Sequence, residues 1–438
     1  MLVVLNVTGT DRRFPVATIP QTLTRIKGEL AQLVPESLIR DLVADEGRDF
    51  RERKLTPVVT TYLALRQVLH GHVSAAGLRH VAGLDFTPRA YGEARGRLSV
   101  DFFRRLLRAV TGRCRADDPE QPEDRWRGHR IWLVDGSSFS MPDTPALQQR
   151  FGQPGGCRAG CGFPVAHLLV LVEAATGSIL RAIASPLRTH DLSAAARVTA
   201  ALGAGDVLVG DRAFGSFAHL ARLRQHGAHG LFRLHQRRRS GRRRDRRVTY
   251  AKPDTRPVWL TAAAAAALPD TLTVREVKVR VTLPGRRVRQ LVLVTTLLDR
   301  RAYPAEALAR LYESRWRVEV DLRHLKQTLG LDVLRSQSVA GVVKELLAFV
   351  TVYNLVRRVM RQAAVQQGVP AARISFVDAW RWLRQAQPTE AVPILVVNPE
   401  RPGRFEPRVR KRRPKNYPLM TRPRAVLKQE LRRQQLVT

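Results

Sequence analysis

Cysteine is close to absent: the 438 residues hold only Cys114, Cys157 and Cys161. An odd number of thiols argues against a disulfide framework. The pair in GGCRAGC has only one further Cys and His167 nearby, short of a convincing zinc set, so the thiols read as reduced side chains in a glycine-rich turn. Acidic residues are the second shortage. Thirty-eight Asp and Glu stand against 75 Lys and Arg, giving a net charge of +37 and a pI near 11.6. A chain this basic repels itself unless a polyanion neutralises it, and nucleic acid is the leading partner. Long apolar runs are missing too. No stretch reaches the roughly 18 continuous apolar residues of a membrane span. The start, MLVVLNVTGTDRRF, has no basic segment ahead of its short apolar run, so neither a secretory signal nor a membrane partner is expected. A cytoplasmic location follows as an expectation.

The length is sufficient for two or three domains. Up to about residue 113 the pattern is helical: Leu23, Ile26, Leu30 and Leu33 repeat after Pro20, and Phe102, Leu106 and Val110 share one side of SVDFFRRLLRAV. This predicts a separate N-terminal bundle over residues 1–125. The acidic, proline-containing CRADDPEQPEDRWRGHR marks a linker or exposed loop. Beyond it come short apolar runs, IWLVDG, HLLVLVEAATGSILRAIASP and DVLVGD, alternating with helical stretches, which suits an α/β core with a mixed sheet flanked by helices over residues 126–235. Residues 236–300 read as a strand-rich insertion led by the basic run QRRRSGRRRDRR, and the α/β pattern resumes over 301–390. Residues 391–438 form a basic, proline-containing tail, whose stretch from residue 401 to 423 is too broken by proline to be helical. No internal repeat is found.

Two carboxylates end apolar runs: Asp135 in IWLVD and Asp211 in DVLVGD. The carboxyl ends of strands in open α/β sheets form the functional crevice. A third acid, Glu319, lies in LYESRWRVEVDLRHLKQTLGLD. At about 100° per residue, Tyr312, Arg315, Glu319, Arg323 and Lys326 fall within roughly 80° of one another on a helix, beside a separate stripe of Leu311, Val318, Leu322, Leu325 and Leu329. The apolar stripe anchors the helix and holds the polar row at the core's edge. Three converging carboxylates in a basic protein suit hard divalent ions such as Mg²⁺ and phosphodiester chemistry. Structural alternatives stay open for each: a turn at Asp135-Gly136, a helix cap or turn at Asp211, and charge pairing of Glu319 with Arg315 or Arg323.

The spacing Tyr312, Arg315, Glu319, Lys326 matches a Y-x2-R-x3-E-x6-K signature. Together with VDGSSFSMPDTP, VLVGDRAFGS and LVTTLLD, it resembles the DDE transposases of bacterial insertion sequences, over about residues 130 to 360. The resemblance implies an RNase H-like catalytic domain interrupted by a strand-rich insertion, with Asp135, Asp211 and Glu319 as ligands of two Mg²⁺ ions for which Mn²⁺ can substitute. It implies phosphate contacts for Tyr312, Arg315 and Lys326. It also implies cut-and-paste transposition, in which nicking at the element's ends is followed by attack of the freed 3′-hydroxyl on target DNA, and a homodimer formed on double-stranded DNA in the bacterial nucleoid. Arg323 joins the DNA-facing row by position. Arg237, Arg238, Arg239, Arg242, Arg243 and Arg244 of the basic loop are expected to add non-specific affinity. Some relatives hold a flipped base with a Trp before the last insertion strand; here Gln290 and Leu291 stand there, and Trp259 is the candidate substitute. Two other readings compete: an inactive DNA-binding protein that retains the fold, and a recombinase using Tyr312 as nucleophile.

Overall fold

The computed structural model describes residues 33–47, 50, 54–116, 124–156, 158, 160–189, 191–235, 238, 241–281, 289–386, 390–399 and 420–435. The Leu23, Ile26 and Leu30 repeat, Cys157, Arg237, Arg239 and residues 400–419 of the tail lie outside them.

Helices come first: α1 (Glu36–Ala44), α2 (Pro57–Leu69), α3 (Ala75–Ala82), α4 (Pro88–Arg97) and α5 (Val100–Ala116). The side chains of Thr56, Ser74 and Thr87 accept an N–H from the first turn of α2, α3 and α4, and prolines at the first positions of α2 and α4 need no partner for a missing N–H. Phe102, Leu106 and Val110 are buried, as their spacing predicts.

The chain then enters β1 (Ile131–Ser140), α6 (Pro145–Phe151), the hairpin β2 (Val165–Glu173) and β3 (Ile179–Pro186), α7 (Asp191–Thr199), β4 (Val207–Gly210), α8 (Phe217–Gln225) and β5 (His229–Arg233). β6 (Asp245–Ala251), α9 (Ala262–Ala266), β7 (Thr271–Val281) and β8 (Arg289–Thr295) follow. Among the described residues the strands form one sheet in the order β3-β2-β1-β4-β5-β8-β7-β6. β1, β4 and β5 run parallel, with β2 antiparallel to both β1 and β3. This is the mixed sheet flanked by helices that the sequence leads one to expect. The strand-rich insertion continues the same sheet, because β8 pairs antiparallel with β5, and β7 and β6 add outward from it.

Alternation along the strands divides the apolar residues between two cores. Leu133, Val170, Val209 and Leu231 face one; Trp132, Leu171, Leu208 and Phe232 face the other, under α7 and α8. Burial on both faces is why these strands read as continuous apolar runs. The first core is covered by α10 (Ala305–Glu313), α11 (Trp316–Arg323), a π-helical turn (His324–Thr328) and the long α12 (Val339–Gln367). Then come α13 (Phe376–Gln385) and α14 (Arg424–Gln435), the latter beginning just after the last proline of the tail.

The described helices of the N-terminal part do not pack in isolation. Tyr62, Phe102 and Leu106 belong to the same continuous core as α12 and the sheet, because the apolar faces of α2 and α5 pack directly on α12. α12 is long and apolar enough by length and composition to cross a membrane, yet 78% of its most apolar window is buried inside the molecule. Asn354 shows how it is used: its amide donates to Thr111 Oγ1 at 3.0 Å and to the Ile179 carbonyl at 2.9 Å, joining α5 to the edge strand β3.

Candidate active site

Leu133 pairs with Val209, and Val209 with Leu231. Two residues on, Asp135, Asp211 and Arg233 therefore stand about level on three parallel neighbours spaced about 4.8 Å apart, Asp135 midway along β1 where its pairing with β4 ends, Asp211 just past β4 and Arg233 at the end of β5, on the face covered by α11. β1 runs straight through Asp135-Gly136, so no turn forms there. Asp135 Oδ1 accepts the Gly136 N–H at 3.0 Å. Asp211 Oδ1 accepts the Ala213 N–H at 2.8 Å, capping the short turn Arg212–Phe214, while Ser216 caps α8. Gly210 is required immediately before Asp211. A Cβ there would lie 2.8 Å from Val134 Cγ1 and 2.9 Å from a Phe214 ring carbon.

The segment carrying Glu319 is tied to the sheet at both ends. Before it, the buried Arg275 guanidinium of β7 donates to the Tyr303 carbonyl at 2.7 Å and pairs with Asp245 at 2.6 Å. After it, the Ser140 N–H donates to the Asp332 carbonyl and the Leu334 N–H to the Ser140 carbonyl, both at 2.9 Å. Between these anchors the expected single helix is interrupted. At Ser314 and Arg315 the hydrogen bonds tighten to i→i−3, and at His324–Thr328 they loosen into a π turn in which the Leu329 N–H reaches the His324 carbonyl at 3.0 Å. The interruption changes what the polar row can do.

Arg315 is placed between two of the acids, with Nη2 3.1 Å from Glu319 Oε1 and Nη1 3.6 Å from Asp135 Oδ2. Burial pushes the Asp135 carboxyl up to about 6, aided by the negative charges of Glu319 and Asp211 and opposed by Arg315 and the Gly136 N–H. Glu319 and Asp211 are thus near enough for their charges to act on Asp135, although among the described residues no three Asp, Glu, His or Cys side chains are close enough to hold one ion as they stand. Burial also raises Tyr312, near Asp211, against the pull of Arg315 and Arg233. At 5% exposure the Tyr312 side chain is buried beside Arg315, while the expected polar row assumed an exposed helix face.

The remaining candidates are dispersed. Arg323 is exposed, and Lys326 Nζ sits 3.1 Å from Asp332. Arg238 stacks 3.7 Å over the Tyr250 ring, and Arg242, Arg243 and Arg244 are exposed on the approach to β6. Trp259 packs against the second core. Two residues were missed by sequence reasoning. Arg233 ends the third parallel strand, which the apolar run GLFRLH signals; Asp321 is buried and its partner Arg357 is remote in sequence, so no local pattern marks it.

Residues 126–355 match the family model described as the Transposase DDE domain. Over 412 residues the chain is 24% identical to the transposase InsG of insertion sequence element IS4 from Escherichia coli (strain K12), covering 88% of this chain and 92% of that protein. Among solved structures it is similar to the cryo-EM structure of a piggyBac transposase synaptic complex with hairpin DNA, at a TM-score of 0.40 and 9% identity, covering 83% of this chain and 79% of the other.

Proposed function

The chain belongs to the Transposase DDE-domain family, and from that premise we propose that it cuts DNA at the ends of a mobile element and joins the freed 3′ ends to target DNA by a cut-and-paste route. The observation that carries this reading is the level placement of Asp135 and Asp211 on adjacent parallel strands, with Glu319 approaching from α11.

The donor set fits hard divalent cations. It consists of oxygen ligands only, in a crevice whose negative charge helps burial push Asp135 up to about 6 despite Arg315. Asp135, Asp211 and Glu319 would hold two Mg²⁺ ions, with Mn²⁺ as a substitute, once their side chains turn towards one another. Such a pair supplies Lewis-acid activation of a water or 3′-hydroxyl and stabilises the leaving oxygen. Arg315 neutralises part of the carboxylate charge and can donate two parallel hydrogen bonds to a backbone phosphate. Arg233, level with Asp211, adds a cation where the DNA strand would pass. The protonated Tyr312 hydroxyl is a hydrogen-bond donor at the floor of the site, and Lys326 and Arg323 lie further along the same segment. Contacts of this kind position the backbone without reading sequence. Recognition of the element's ends then falls to the N-terminal helices, non-specific affinity to the basic loop and tail, and synapsis to a homodimer assembled on DNA in the bacterial cytoplasm.

The test is incubation with the DNA flanking its own gene plus Mg²⁺, with nicks mapped to the nucleotide. Asp135→Ala, Asp211→Ala and Glu319→Ala should each abolish cleavage and leave DNA binding largely intact. Full cleavage by any one of them would remove that residue from the site. DNA binding with no Mg²⁺-dependent nicking by the unaltered protein would favour the alternative, a DNA-binding protein that keeps the fold without the activity. The observation on its side is Arg315, which lies close enough to both Asp135 and Glu319 to neutralise them as ion pairs.

A further inference from the structure

Asp321 follows Glu319 by two residues on α11 yet points the other way, into the core, where it is 6% exposed. Fully buried carboxylates are rare unless paired. Its partner is Arg357 of α12, with Nη1 3.5 Å from Asp321 Oδ1 and both side chains 8% exposed. The same guanidinium donates through Nε to the Thr176 carbonyl at 3.0 Å, in the turn between β2 and β3. At the adjoining Gly177, which has φ of +69°, an added Cβ would lie 2.1 Å from Arg357 Nη2. Tyr353, one turn earlier on α12, is buried against Asp321 and stacks on Phe376, whose other neighbour is His324 of the π turn, 4.4 Å away and parallel. One arginine therefore joins three separate pieces: the helix bearing Glu319, the central helix α12, and the hairpin beside β1.

A buried ion pair is a poor source of net stability, since desolvation offsets most of the attraction, and apolar replacements are often as stable. What it supplies is a fixed geometry. α11 begins at an overwound junction and ends in a π turn, so its own backbone leaves its rotation weakly defined. We propose that the Asp321–Arg357 pair is the positioning device for Glu319, fixing the rotation of α11 so that Glu319 faces Asp135 and Asp211. This rests on the reading of Glu319 as the third carboxylate of a DNA-cleaving site.

The test uses the full chain and Asp321→Asn/Arg357→Met, which removes both charges together and leaves no unpaired ion. Four quantities are measured: the thermal midpoint, the rise of that midpoint on adding Mg²⁺ alone, the affinity for DNA carrying the element's ends, and the single-turnover cleavage rate. The expected result is a folded protein with unchanged DNA affinity, a smaller Mg²⁺-induced rise, and cleavage slowed by up to about 10²-fold, as for a misplacement of roughly 1 Å. Arg357→Lys, which keeps the charge, should recover part of the rate. Gly177→Ala displaces the guanidinium from the opposite side and should reproduce the loss even where the double variant fails to fold. A folded double variant or Gly177→Ala with the original rate and the original Mg²⁺ response overturns the proposal. Glu319→Gln separates the site from its positioning. If it cleaves normally, the reading of the site is at fault; if it is inactive while the pair variants are not, only the positioning role falls.

Discussion

His219 is an example of a single side chain whose burial has a measurable consequence. It is 1% exposed on α8, its Nδ1 lies 2.8 Å from the Phe214 carbonyl, and it stacks on Phe232. Burial pushes its pKa down to about 4, with Arg222 adding to the effect against the Phe214 hydrogen bond. Because the folded value lies below the ordinary 6.5, the unfolded chain takes up the proton first. Stability is therefore complete above about pH 6.5 and is lost as pH falls towards 4, by up to about 3 kcal/mol for this group. His70, His229 and His324 are displaced in the same direction by burial and contribute with the same sign. Urea unfolding between pH 7 and 4.5 should show the decline, and His219→Gln should reduce its slope; an unaltered slope would contradict the assignment. Gly210 makes a second prediction. With 2.8 Å available to a Cβ, Gly210→Ala overpacks the junction of β1 and β4 and should cost about 1–3 kcal/mol, read from the urea midpoint.

Among elements, the inserted strands and the helix leading to Glu319 are mechanically joined. Arg275 is 1% exposed, bidentate to Asp245, and bonded to the carbonyls of Asp299 and Tyr303. Arg275→Ala leaves the half-buried Asp245, among the described residues, with the exposed Arg300 as its ion-pair partner and takes the guanidinium from the Tyr303 carbonyl, so a loss of about 3 kcal/mol is expected. Hydrogen exchange should quicken at α10 as well as at β6 and β7. Quickening confined to the two strands would mean that Arg275 does not hold α10. The period and identity of α5, β1, β2 and β4 could be read from their apolar spacing, since burial on one or both faces writes directly into sequence. The segment 311–332 could be read only in part. Its apolar stripe gave the helix, but the tight junction at Ser314–Arg315 and the π turn carry no proline or glycine to announce them, and the wheel of polar residues assumed a continuous helix.

For the whole molecule, the N-terminal helices, α12 and the sheet share one apolar core, so they should unfold as a unit. Calorimetry of the full chain is expected to give one transition, and Phe102→Ala, at 0% exposure, should shift all of it; two resolved transitions would indicate independent domains. The charge of +37 acts at this scale too. DNA affinity should fall steeply with salt, and replacing the exposed Arg242, Arg243 and Arg244 by Gln should lower the slope of log K against log salt by up to about 3, roughly one for each phosphate that an arginine no longer neutralises.

Sequence alone determined the class of partner, the alternation of helix and strand, and the identity of Asp135, Asp211 and Glu319 as acids worth bringing together, because charge balance, periodicity and motif spacing are local or summed properties of a chain. Tertiary structure decided the level register of β1, β4 and β5, the bridging place of Arg315, the withdrawal of Tyr312 from solvent, and the union of the N-terminal helices with the sheet. Each of these depends on which remote surfaces pack together and which charges they desolvate, and no local stretch of the chain encodes that pairing by itself.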